Sequence, residues 1–498
     1  MNADYQKSLA RTFSYLRPVG GSGTTGRVRH SAATRQGAMN KWVVNKINKM
    51  SERLDRENLT DRAVDIAIND PNAASAVDSM AVGIVGTGLT PQSAPPAAIL
   101  GWDSDTASEF QQQQELAWNL WTKEADAKGR LQFWELELLS VYNLLMKGEF
   151  FRQPVMINEP HRLFSLAIQT IDPERIQTPP DKMSDQTIYD GIKLGRRGNP
   201  TIYHARENNA SASTSIAPAR FTPIPAWVAH RPAMLHGFVQ KFDEQVRGFS
   251  PLAPALKLFK DLGDYYDFEL IGAIVAASFP VWIETTMPDA MAASMRSADD
   301  FREQWDKYQE LSPGQIAYGG FNQKPHILKN ERPNDSFAVF TERILRAAGA
   351  AMGIPYEVIA KDFSKTNFAS ARAALLEAWR VFSLYQKWLV GHFSQPCWNL
   401  VQEEAYLRGL VKIPKGSPDF YEARQLYTMA TWRPQKRGHV DPKKEIEAAV
   451  LAMENNILTL AQVAAEYDGD WADNTKQRAR EKKLKAEQMP EAAHAEEE

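Results

Sequence analysis

Catalysis and ligation need particular residue types at workable spacing, and this sequence offers four places to look. The glycines of "GGSGTTGR" (20–27) imitate a phosphate loop, but Arg27 and Val28 stand where Lys and Ser/Thr are needed, and no strand leads in. The nine histidines form no HExxH and no i, i+4 metal face; His230 and His236, in "AHRPAMLH" (229–236), have no carboxylate cluster at ligand spacing and read as structural. The acid pairs Asp299–Asp300 and Asp172/Glu174, the latter in "IDPERI" (171–176), could hold Mg²⁺. Solvated surfaces and helix starts explain such pairs equally well. The fourth place is "DFSKTNFASARAALLEAW" (362–379), where Ser364, Lys365, Thr366 and Asn367 stand in a row before a helical pattern. With no GxSxG elbow either, no catalytic constellation emerges and no metal or cofactor is called for. So long a chain without one points to binding, assembly or conduction.

Those residues need elements to hold them. Thr366 or Asn367 can cap the helix that follows, since a side-chain oxygen there accepts an unpaired N–H. Ala371, Leu375, Ala378 and Phe382 recur at helical spacing, with Trp379 alongside, and predict a buried face. Upstream, "MNKWVVNKINKMSERL" and "DPNAASAVDSMAVGIV" predict helices across 35–85, the second opening on an Asp70 cap with Pro71 at its first position. A Trp-rich helix (Glu109–Lys123) and another at 133–148 follow. Between 149 and 245, short β-prone runs such as "EFFRQPVMI" and "LFSLAIQTI" are bounded by Pro, Gly and Asn and predict a small sheet. From 250 to 283 about 30 residues could be helical, roughly 45 Å, ending or kinking at Pro280. A polar insert (284–334), a helix over 336–352 and a charged helical tail over 441–485 complete the pattern.

Composition sets bounds. The 498 residues, 43% hydrophobic and 24% charged, are ordinary globular material with room for two or three domains. The single Cys397 excludes an internal disulfide framework and reads as a buried filler. A net charge of −3 gives no global basic field, yet residues 1–50 carry nine Lys/Arg against Asp4 alone. The first thirty residues lack the apolar core of a secretory signal. The most apolar stretch, 270–283, is fourteen residues long and contains Pro280, too short for a membrane-spanning helix.

Six segments in order resemble the phage portal protein family, in its lambda-like branch: "NDPNAASAVDSMAVGIVGTGLTPQ" (69–92), "AWNLWTKEADAKGRLQFWELELLSVYNLLMKGE" (117–149), "IDPERI", "EQVRGFSPLAPAL" (244–256), "MGIPYEVIAKDFSKTNFASARAALLEAW" (352–379) and "HVDPKKEIEAAVLAMENNILT" (439–459). The chain departs from that pattern at "WRPQKRG" (432–438) and "AKDF" (360–363), which bears on loop shape alone. The resemblance implies a mainly helical α+β portal fold, assembled as a homo-oligomeric ring (a dodecamer in the particle) around a central channel. It implies a flexible basic arm at 1–35, a wing at 36–250, a first stem helix at 251–283 and a clip at 284–334. A second stem helix at 335–352, a tunnel loop at 353–370, a wing return at 371–440, crown helices at 441–485 and an acidic tail at 486–498 complete the division. Implied partners are double-stranded DNA in the channel, the terminase large subunit, head-completion or neck proteins, and major capsid and scaffold proteins, with no membrane. The chain would act without enzymatic activity at one capsid vertex, after assembly in the host cytoplasm, and would also serve DNA ejection. The resemblance assigns Lys361, Asp362, Phe363, Ser364, Lys365, Thr366 and Asn367 to the channel, and Leu375, Trp379 and Phe382 to the helix supporting them. Two other readings stand beside it: a Mg²⁺-dependent DNA-processing enzyme using the paired acids, and an architectural protein binding double-stranded DNA through the basic arm.

Overall fold

A computed structural model describes residues 49–207, 220–277, 281–285, 323–327, 337–434, 442–466 and 471–488. The chain divides into two units, Met1–Glu52 and Arg53–Glu498. Of the first, only 49–52 is described, as the opening turn of α1 (Lys49–Asn69). The basic arm and residues 489–498 of the acidic tail therefore lie outside the described residues, as do Asp299, Asp300 and most of the polar insert.

Helix α2 (Pro71–Val85) starts as the sequence predicts: Asp70 Oδ1 accepts from Ala73 N at 2.7 Å, and Pro71 occupies the first turn. Its buried face is rich in alanine, so other helices approach closely. Strand β1 (Thr90–Ser93) follows, then α3 (Ser104–Trp121) and α4 (Phe133–Lys147). Strands β2 (Glu149–Met156) and β3 (Leu166–Ile171) come next. Beyond them lie β4 (Ile188–Tyr189), β5 (Ile192–Leu194), β6 (Pro200–Arg206), β7 (Phe221–Pro225), the short pair β8 (Trp227–Val228) and β9 (Arg231–Pro232), and β10 (Leu235–Phe238). Two antiparallel sheets result, ordered β10-β2-β3 and β4-β5-β6-β7. The small sheet predicted for 149–245 is thus two sheets and a minor ladder.

Strand β2 is buried on both sides, and its pleat sends neighbouring side chains into two different cores. Phe150 joins the large helical core, whereas Phe151 joins a smaller one with Ile171, Ile192, Tyr203 and Ile224. On the Phe151 side Glu149 is fully buried and accepts from Arg247 Nε (2.9 Å) and Nη2 (2.6 Å), from Gly248 N (3.0 Å) and from His236 Nε2 (3.1 Å). Arg247 donates onward to the carbonyls of Pro173, Ile176 and Asp190, and Asp190 takes a 2.6 Å ion pair from Arg56 of α1. Burial alone would raise the Glu149 carboxyl, but Arg247 and His236 outweigh it and hold the group far below the usual carboxylate range. The backbones cross so closely here that a Cβ on Gly148 or Gly248 would strike the other segment, and Gly148 also takes φ +84° to end α4.

After β10 the chain forms α5 (Leu256–Ala277), β11 (Val281–Thr285), β12 (Gln323–Ile327), α6 (Phe337–Met352), α7 (Tyr356–Ala360) and α8 (Phe368–Leu389). Here the structure corrects the reading of 251–283 as one helix. Pro251 and Pro254 delay the start to Leu256, the helix ends before Pro280, and Val281–Ile283 pair antiparallel with Pro325–Ile327. At 22 residues α5 is about 33 Å long. Tyr265 and Tyr266 pack on Phe337 and join α5 to α6. A π-helical turn (Val390–Ser394) carries α8 into α9 (Gln395–Leu407). The wide turn accommodates Pro396, which has no N–H for the helical ladder. Strand β13 (Ala430–Arg433) returns to pair with β1, and α10 (Pro442–Glu454), α11 (Leu460–Glu466) and α12 (Trp471–Gln488) form the charged tail. Three tryptophans build an interior aromatic cluster, where Trp118, Trp121, Phe133 and Trp398 meet with ring centroids 4.8–5.5 Å apart. No described helix is long and apolar enough to cross a membrane.

Truncating either member of the Glu149–Arg247 pair should cost about 3–5 kcal/mol, because the other charge is left buried without its main partner, with only the weaker contacts to Asp190, His236 or Arg56 remaining. Urea unfolding of Glu149→Ala and Arg247→Ala measures it, and a loss below about 1 kcal/mol would contradict the assignment.

A second buried carboxylate makes a pH prediction. Glu137 of α4 accepts from Leu89 N (3.0 Å) and Ser394 Oγ (2.6 Å), and burial pushes it up to about 8 from 4.5. The folded chain therefore keeps this proton where the unfolded chain has lost it. The contribution to stability is complete below about pH 4.5 and falls as pH rises toward about 8, by at most ~1.4 kcal/mol per pH unit. Unfolding free energies of the parent and Glu137→Gln, compared from pH 5 to pH 8, should diverge in that direction.

Candidate functional site

The loop 361–367 rests on three helices. Helix α6 ends at Met352, Gly353 turns the chain at φ +77°, and Pro355 starts the short α7. Ser75 Oγ and Ser79 Oγ of α2 donate to the carbonyls of Ile359 (2.7 Å) and Val358 (3.4 Å), fixing α7 to the core. Lys361 then takes a left-handed conformation (φ +52°) and ends α7.

Within the loop Asp362, Thr366 and Asn367 have local tasks. Asp362 Oδ1 accepts from Ser364 N at 2.9 Å, and this bonding to Ser364 holds its carboxyl below the usual value. Thr366 Oγ1 donates to the Phe363 carbonyl at 2.9 Å. Asn367 is the cap of α8, its Oδ1 accepting from Ser370 N at 2.8 Å, so of the two candidate caps Asn367 is the one used. Phe363 is exposed, as are Lys361, Ser364, Lys365 and Asn367. Lys365 is not simply solvated: its Nζ lies 2.9 Å from Glu342 Oε2 on α6. Arg346 holds the other oxygen of Glu342 at 3.0 Å, sits 5.0 Å over the Tyr356 ring and lies 3.8 Å from Glu357. Bonding to Lys365 and Arg346 lowers the Glu342 carboxyl, and the same bond raises Lys365. An open cleft of about 370 Å³ beside this cluster is lined by Arg346, Gly353, Tyr356, Glu357, Glu377 and Val381.

Behind the loop, α8 buries Ala378 and Phe382, with Leu375 half-buried. The Phe382 ring lies where a Cβ on Gly83 would have to go, so α8 meets α2 at a glycine. Trp379 departs from the reading as a buried residue: it sits at the edge of the face, half-buried, with its ring 5.9 Å from Phe382. Sequence reasoning missed Glu342, Arg346 and Tyr356. The i, i+4 spacing of Glu342 and Arg346 in "TERILR" is a visible signal for their own pair, but nothing local points from Glu342 to Lys365.

The other candidates resolve into structural ion pairs. Lys147 Nζ lies 2.8 Å from Asp172 and 2.7 Å from Glu174, filling the place a cation would take. His230 donates to the buried Glu403, which Arg231 and Arg424 also contact; His236 belongs to the Glu149 cluster. Among the described residues no group of His, Cys, Asp and Glu could hold a metal ion. Cys397 is fully buried, and burial pushes its thiol up, as its reading as a filler requires.

Phe382→Ala should cost about 3–5 kcal/mol, the range for a buried aromatic, and Trp379→Ala distinctly less. Lys365→Ala should leave the thermal midpoint unchanged. Thermal and urea unfolding of the three variants would show the order, and a Trp379 loss exceeding that of Phe382 would contradict it.

The model of the lambda family of phage portal proteins matches residues 35–386, well over half of the chain. The chain is 25% identical over 444 residues to the portal protein of Escherichia phage N15, covering 84% of this chain and 83% of that one. It is 24% identical over 444 residues to portal protein B of Escherichia phage lambda, covering 84% and 82%. Among solved structures it is similar to a chain from the neck of an empty gene transfer agent particle, with 14% identity, coverage of 74% and 94%, and a TM-score of 0.43. On the extent of the family match, with its α+β, mainly helical fold alongside, the chain belongs to the lambda family of phage portal proteins.

Proposed function

We propose that the chain assembles into a closed homo-oligomeric ring whose channel conducts double-stranded DNA, with loop 361–367 on the channel wall. The observation that carries this reading is an uncovered apolar surface on the α5–α6 pair. Phe268, Leu270, Ile271 and Ile274 of α5, with Val339 and Phe340 of α6, are each half exposed or more. Monomers rarely leave so much large apolar surface in water, and a head-to-tail contact that closes on itself covers such a surface in every copy.

In this assignment α5 and α6 are the stem, 284–334 is the clip, α10 to α12 belong to the crown, and the sheets with α1 to α4, α8 and α9 make the wing. The clip meets the terminase large subunit during packaging and neck proteins afterwards; capsid and scaffold proteins surround the wing. The ring assembles in the host cytoplasm and stays in the virion, where the same channel serves ejection. It moves DNA without chemistry of its own. The loop's composition suits passage: Lys361 and Lys365 are offset by Asp362, so each copy carries a small net charge and phosphates are touched weakly rather than gripped.

Purified chain should sediment as rings, and Phe340→Asp should give folded monomers with an unchanged far-UV spectrum. Lys365→Cys should crosslink to DNA stalled during packaging; the buried Cys397 can stay in place. A parent protein that is monomeric at micromolar concentration would defeat the proposal. So would a Lys365→Cys variant whose new thiol is labelled only from outside intact rings.

A further inference from the structure

We propose that Glu342 is a positioning residue that tethers Lys365 to α6 while the channel is empty and yields it to a DNA phosphate when duplex passes. Loop 361–367 then has a tethered and a released state. The inference rests on the reading of this loop as channel-facing.

The geometry favours a tether that opens at small cost. Lys365 and Glu342 lie 23 positions apart on different elements, and their 2.9 Å contact crosses from the loop to α6. Of the other loop bonds described, Asp362–Ser364, Thr366–Phe363 and Asn367–Ser370 stay within the loop or reach the start of α8, and the long one from Tyr356 Oη to Asp362 Oδ2 (3.5 Å) reaches only the adjoining α7. The pair faces water, with the Lys365 side chain 63% exposed, so a competing anion can reach it. Release leaves no orphan charge. Arg346 holds Glu342 Oε1 through both Nε (3.1 Å) and Nη2 (3.0 Å), and the Tyr356 ring and Glu357 in turn steady Arg346. Glu342 therefore keeps its orientation and a counter-charge whether or not Lys365 is present.

An exposed ion pair shifts an equilibrium by about fivefold at most, so both states are populated. Duplex DNA presents about one phosphate per 1.7 Å of its axis, a far denser set of acceptors than one carboxylate. The direction of exchange follows.

The test uses rings of the full chain carrying Ser364→Cys with a nitroxide label, Cys397 being buried and unreactive. At low salt the spectrum should contain a slow component from the tethered loop. Raising salt to about 1 M, where exposed pairs are screened, or adding short blunt duplex DNA, should lower the tethered-to-free ratio about threefold, within the range of such a pair. Glu342→Gln should show the released spectrum without DNA. The charge-reversed Glu342→Lys/Lys365→Glu protein should regain a salt-sensitive tether that DNA does not open, which a purely structural role for Glu342 would not produce. Identical spectra for parent and Glu342→Gln would overturn the tether. A parent spectrum unmoved by duplex, in rings whose Lys365→Cys counterpart crosslinks to DNA, would overturn the exchange. Loss of that crosslink with the salt-sensitive tether intact would instead overturn the channel-facing reading, and the exchange with it.

Discussion

Everything in the described β-rich portion is organised around the carboxylate of Glu149. It lies at the start of β2, immediately after the glycine that ends α4, and is buried completely with Arg247 against it. A buried ion pair is not by itself a source of stability, since both charges lose their water. Here Arg247 reaches three backbone carbonyls as well as Glu149, so the guanidinium acts as a bracket between the two sheets. What the cluster contributes is one arrangement, because any shift of β2 would strand a charge.

That constraint is transmitted to the loop through α2 and α4. Phe150 and Arg152 point from β2 into the helical core, where α4 packs on α2 and α2 receives both α7 and α8. The alanines of α2 and Gly83 let these helices come close, and the two serine hydroxyls fix α7 in register. Loop 361–367 thus joins two helices whose ends cannot move independently. Its own ties are of a different kind: a few local hydrogen bonds and one exposed ion pair. A stiff base under a weakly held loop suits a surface that must stay in place while its partner slides by.

The elements set by local chemistry were legible in the sequence. Asp70 before Pro71 and Asn367 before Phe368 mark real helix starts, and the spacing of Ala378 and Phe382 marks a real buried face. Trp379 shows where periodicity stops being informative, since a residue beside an apolar stripe can lie at its rim. The strand that follows α5 was not foreseen, because the preference of Val281–Ile283 for strand depends on a partner more than forty positions away. The ionic contacts were hidden for the same reason. Glu149 meets Arg247 across 98 positions and Lys365 meets Glu342 across 23, and only the tertiary fold brings either pair together. His236 looked unattached for want of a nearby carboxylate; its partner is on the adjacent strand.

An electron cryo-microscopy reconstruction of particles formed by the purified full chain tests the central claim most directly, through the radius at which each segment lies. The account predicts a closed ring with 361–367 as the innermost described segment, α8 running outward from it, and the exposed faces of α5 and α6 covered by neighbouring copies. A ring with this loop on its outer surface, or particles in which those faces remain bare, would contradict it.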